Sequence, residues 1–108
     1  MPHQVTPQLD LWRGDFGDKY ISRNAPDEAS IKVLTRMWAT ILRPLHVHPK
    51  RILEVGSNVG LNLRALRRIT QSELFAVEPN AMARKRMIDD GVLPDSNIVE
   101  AFAASLRF

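Results

Sequence analysis

The chain has 108 residues, 44% hydrophobic and 25% charged, the proportions of a globular domain, which exclude a disordered, collagen-like or coiled-coil chain. Fifteen Lys and Arg against twelve Asp and Glu give a net charge of +3 and a pI near 9.8, short of the clustered excess usual in nucleic-acid binders. The lack of cysteine excludes a disulfide scaffold, a thiolate zinc site and a cysteine nucleophile; with no apolar run of membrane-spanning length and no leader pattern in MPHQVTPQLD, a cytoplasmic protein without a membrane partner is expected.

Residues 1–24 have no sustained period and carry Pro2, Pro7, Gly14 and Gly17, which predicts an N-terminal arm of loop with one short helical turn around Leu9 to Trp12. Trp12, Phe16 and Tyr20 recur in that arm beside Arg13, Asp15, Asp18 and Arg23, as in a segment that packs its aromatics on a domain. Ile31, Leu34, Trp38, Ile41 and Leu42 then fall on one face of a 3.6-residue period, predicting a helix from Pro26 to Arg43. Asn24 is its expected cap, Asp27 and Glu28 complement the positive end of its dipole, and Pro44 stops it.

Arg51 to Val55 is a short apolar run between Pro49 and Gly56, the pattern of a buried parallel strand. After the turn Gly56-Ser57-Asn58-Val59-Gly60, a helix is expected with Val59, Leu63 and Leu66 on its apolar face and Arg64, Arg67 and Arg68 on its wet side. Glu73 to Glu78 predicts a second strand. Asn80 caps a helix through Ala83, Met87 and Ile88, Gly91 ends it in a left-handed conformation, and Asn97 to Phe102 predicts a third strand. A helix followed by β-α-β-α-β defines an α/β domain with a parallel sheet, right-handed crossovers and helices on its faces. Three strands are about half of a doubly wound sheet, so residues 25–108 read as one half of such a domain.

Ligands of open parallel sheets bind beyond the carboxyl ends of the strands, where the first strand-to-helix turn is glycine-rich. Gly56 permits a sharp exit from the strand and close approach of a ligand, Gly60 permits close helix packing, and Asn58 tolerates a positive φ. Glu78 follows 22 residues beyond Gly56 (78 − 56), where a carboxylate can accept both hydroxyls of a ribose. The pair points to a nucleoside-containing cofactor. Asn58 and Leu61 stand where a dinucleotide fold has its second and third glycines, which weighs against nicotinamide or flavin.

Two other patterns carry less. His46 and His48 could place two imidazoles on one side of an extended segment, but no third ligand is near in sequence and no metal is expected. Arg64, Arg67, Arg68, Arg84, Lys85 and Arg86 could form the basic face of a non-catalytic nucleic-acid-binding or interaction module, the alternative function class, though solvated helix faces explain them more simply.

The turn Glu54-Val55-Gly56-Ser57-Asn58-Val59-Gly60 resembles the acidic-x-G-x-G-x-G turn of class I S-adenosylmethionine-dependent methyltransferases, with Asn58 at the middle glycine. With WRGDFGDKYISRN, ILEVGSNVGLNLRAL and FAVEPNAMA, the likeness narrows to the methylases associated with pseudaminic acid biosynthesis and spans roughly residues 9 to 106. The resemblance implies a partial Rossmann-like fold, strand order 3-2-1, with S-adenosyl-L-methionine as cofactor and a small-molecule acceptor, a nonulosonic-sugar precursor. It implies that Glu78 holds the ribose, that the Gly56 and Ser57 backbone lies near the methionine end, and that Glu54 shapes the turn or reaches the amino group. Tyr20 and Arg23 are expected over the cofactor, the Arg23 guanidinium pairing with the methionine carboxylate. The later strands that cover the cofactor and shape the acceptor pocket are absent before SLRF, so no catalytic residue is assigned. The chain is expected to be inactive alone and to self-associate through the free edge of its first strand.

Overall fold

The computed structural model describes residue 13 and residues 26–101. Helix α1 spans Glu28–Leu42. Its cap is Asp27, whose two carboxylate oxygens accept the Ser30 main-chain N–H and hydroxyl, each at 2.8 Å. Asn24 lies outside the described residues. The expected start at Pro26 therefore moves to Glu28, because an extended Asp27 accepts the free Ser30 N–H of the first turn with its own side chain. Ile31 is buried, while Leu34, Trp38 and Leu42 are half-buried. Ile41, counted with them by period, is 47% exposed: at 100° per residue it points about 80° away from Ile31, at the rim of the apolar stripe.

Strand β1 (Arg51–Val55), helix α2 (Leu61–Ile69), strand β2 (Glu73–Val77) and helix α3 (Ala81–Asp89) follow. Val59 is buried in the turn before α2 rather than on the helix itself. Asn80 Oδ1 caps α3 by accepting the Ala83 N–H at 2.9 Å. Gly91, at φ 72°, ends it with N–H bonds from Gly91 to Ile88 and from Val92 to Met87, so Val92 and Leu93 turn back into the core. Strand β3 is only Ile98–Val99. Asn97, expected to start it, sits in a single 3-10 turn (Asp95–Asn97) and bonds β2 through its side chain, Nδ2 to the Leu74 carbonyl at 3.0 Å. Phe102 lies outside the described residues.

The sheet is parallel in the order β1-β2-β3, with Ile52 opposite Leu74, Glu54 opposite Ala76 and Ala76 opposite Ile98. These alternate residues share one face. Onto it pack Trp38 and Leu42 of α1, Leu63 and Leu66 of α2 and Met87 of α3, with Val92 and Leu93. Helices on both faces were expected; among the described residues all three meet one. Two crossovers of the same hand that advance the same way across a sheet must put their helices on the same side, and only a reversal of strand order would populate the other. That second face carries Leu53, Val55, Phe75, Val77 and Val99, of which Leu53, Val55 and Val99 are 41%, 46% and 50% exposed. Among the described residues, no helix is long and apolar enough to cross a membrane.

Candidate functional site

The turn leaving β1 alternates left-handed residues: Gly56 at φ 73°, Asn58 at 56° and Gly60 at 78°. Asn58 takes the place of a glycine because its short amide bonds locally, Oδ1 accepting the Val59 N–H at 2.8 Å. Main-chain N–H groups of Gly56 and Ser57 both reach the Val77 carbonyl, at 2.8 and 3.3 Å, tying the turn to the end of β2. The two glycines serve different ends. A Cβ on Gly60 would stand 3.0 Å from Met87 Sδ, so its bareness lets α2 close on α3; among the described residues, a Cβ on Gly56 would meet nothing within 4 Å. Gly56 therefore borders space that none of the described residues fills. Ser57 is buried with its hydroxyl toward Met87 Sδ, and its N–H and carbonyl are taken by Val77 and Gly60, so it serves the turn itself.

Glu78 lies one residue beyond β2 and is 6% exposed. Oε1 accepts the Asn58 N–H at 2.7 Å and Oε2 the Asn80 N–H at 2.8 Å. Burial pushes its carboxyl above the ordinary glutamate range, opposed by those two N–H groups and by the Arg84 charge. Each carboxylate oxygen keeps a second acceptor position. Glu54, in β1, accepts from Asn62 Nδ2 at 2.7 Å, and burial together with the nearby Glu78 charge pushes its carboxyl up against that bond.

Glu54, Gly56, Ser57, Asn58, Gly60 and Glu78 thus meet at the carboxyl ends of β1 and β2. Tyr20 and Arg23 lie outside the described residues. Sequence reading missed two contributors. Asn62 bonds Glu54 from the first turn of α2, and Arg84 Nη1 donates to the Glu78 and Pro79 carbonyls at 2.9 and 2.7 Å. Their only signal was a polar residue on a helix, which does not separate a site residue from a wet one.

The basic residues are not a uniformly solvated face. Arg64 reaches the Val59 carbonyl and Asp90, Arg67 the Val92 carbonyl, Arg68 grips Glu28 with two bonds of 2.7 Å, and Lys85 and Arg86 pair with Asp89 and Asp90. The Arg64 and Arg84 side chains are only 13% and 19% exposed. His46 and His48 are exposed between α1 and β1, and among the described residues no three His, Asp or Glu side chains gather as a metal site would need. Set against known proteins, the sequence matches no family model, no curated protein and no solved structure.

Proposed function

We propose that the chain binds S-adenosylmethionine at the carboxyl ends of β1 and β2, as the cofactor-binding half of a Rossmann-like methyltransferase. The observation that carries the reading is the Glu78 carboxylate, buried and bonded to the N–H of the left-handed Asn58 in a turn whose Gly56 borders space that none of the described residues fills. These residues fit the group. A ribose can donate its hydroxyls to the remaining acceptor positions of Glu78, the Gly56 backbone admits a ligand that a side chain would block, and Glu54 offers an acceptor for an ammonium. When bound, the cofactor would supply an electrophilic methyl group.

Within this reading the named residues bind and orient the cofactor, no catalytic residue is assigned, and the acceptor class, a nonulosonic-sugar precursor, rests on the resemblance in WRGDFGDKYISRN and FAVEPNAMA. Hydrogen exchange tests the site directly. S-adenosylhomocysteine should slow main-chain exchange at residues 56–60 and 78–80 while leaving the Asp27 cap of α1 unchanged; protection confined to other segments, or none, would refute it.

A further inference from the structure

Trp38 stands on α1, outside the β1-α2-β2 unit that carries the glycine turn, yet its ring N–H ends on that unit. Nε1 donates to Asn62 Oδ1 at 3.0 Å, and Asn62 Nδ2 donates to Glu54 Oε2 at 2.7 Å. An indole N–H can only donate, so the amide must turn its oxygen toward Trp38. Its NH2 is then committed to Glu54, which is given a donor and no acceptor from that side. We propose that Trp38 is a positioning residue that, through Asn62, holds the Glu54 carboxyl as an acceptor at the mouth of the glycine turn, facing a cationic group of the ligand. The ligand clause rests on the cofactor reading above; the relay does not.

The balance at Glu54 gives the relay its leverage. Burial and the charge of Glu78 both favour a protonated Glu54, and the Asn62 bond favours the ionised form. Among the described residues, Arg84 of α3 also acts on Glu78, and its guanidinium is shared with Glu100 at 3.5 Å. Without the indole, the Asn62 amide is free to turn its oxygen to Glu54 and accept a proton from the neutral acid. A packing role alone predicts otherwise: Trp38 also lies against the core, and loss of that packing lowers stability without changing which end of Asn62 meets Glu54.

The test is a titration of the full chain by NMR from about pH 3 to 8, a span that brackets an ordinary carboxyl and one raised by burial. In the unsubstituted chain the Trp38 indole N–H signal should move with the same midpoint as the Glu54 carboxyl carbon. Trp38→Phe should raise the Glu54 midpoint, and so should Asn62→Ala. An indole signal indifferent to Glu54, or a Trp38→Phe chain that melts earlier with its Glu54 midpoint unmoved, overturns the relay. The unsubstituted chain suffices for the first readout, so a variant that fails to fold does not rescue the idea. Affinity for S-adenosylhomocysteine should fall about tenfold in Trp38→Phe. If the midpoint moves as expected while the unsubstituted chain binds none of that ligand, the relay stands and the cofactor reading fails.

Discussion

The Glu78 carboxylate accepts the Asn58 main-chain N–H at 2.7 Å, joining the residue after β2 to the left-handed centre of the turn after β1. A single side chain thereby ties the turn after β1 to the end of β2. Glu78→Ala should cost about 2 kcal/mol in denaturant unfolding, because the Asn58 and Asn80 N–H groups both lose their acceptor in a buried setting. Unchanged stability would mean that the turn holds itself.

Gly56→Ala and Gly60→Ala should separate ligand approach from packing. Both residues have a positive φ, so each alanine costs about 1 kcal/mol of conformational strain. Gly60→Ala adds a collision with the buried Met87 and should melt lower than Gly56→Ala, whereas Gly56→Ala should lose more affinity for S-adenosylhomocysteine. Thermal melts and calorimetry on both variants check the ordering, and equal effects on both quantities would contradict it.

Acid should stabilise the fold before it destabilises it. Glu54 and Glu78 have folded pKa values raised above their unfolded ones, so between those values the folded chain holds protons the unfolded chain lacks. Their stabilisation is fully present below the unfolded value, about 4.3, and is lost as pH rises through the folded values. Asp27, Glu28 and Asp90 are lowered and act in the opposite sense, losing their contribution on strong acidification. Urea midpoints should therefore rise when pH falls from neutrality toward mild acid, and Glu54→Gln should flatten that rise. A wild-type midpoint that only falls with acid would be the opposite result.

The apolar residues left exposed on the second sheet face should drive self-association. Leu53, Val55 and Val99 lie exposed on it, and β1 is an edge strand whose ladder side has no partner among the described residues. Sedimentation of the 108-residue chain should show dimers or larger species, and Leu53→Lys with Val55→Lys should return it to monomer. A sharply melting monomer insensitive to both substitutions would count against this.

The element order was legible because each signal was local. A period of 3.6 marked α1, glycine and proline bracketed β1, and Gly91 took the left-handed stop expected of it. Reading failed where a side chain replaced a backbone partner, as when Asp27 took the cap and Asn97 served β2 through its amide. In the site, Gly56, Asn58, Gly60 and Glu78 could be picked out by steric demand and spacing. Asn62 could not, because its importance arises only when α1 lies over α2 and brings Trp38 to it. The one-sided layering was legible in principle from the hand of successive crossovers, but the alternation of elements alone suggests two covered faces.

Calorimetric titration of the folded chain with S-adenosylhomocysteine and, separately, with NAD tests the central claim most directly. A saturable heat with S-adenosylhomocysteine, weaker or absent with NAD and reduced at least about tenfold in Glu78→Ala, is the predicted result. Tighter binding of NAD, or an affinity for S-adenosylhomocysteine that Glu78→Ala leaves unchanged, would contradict it.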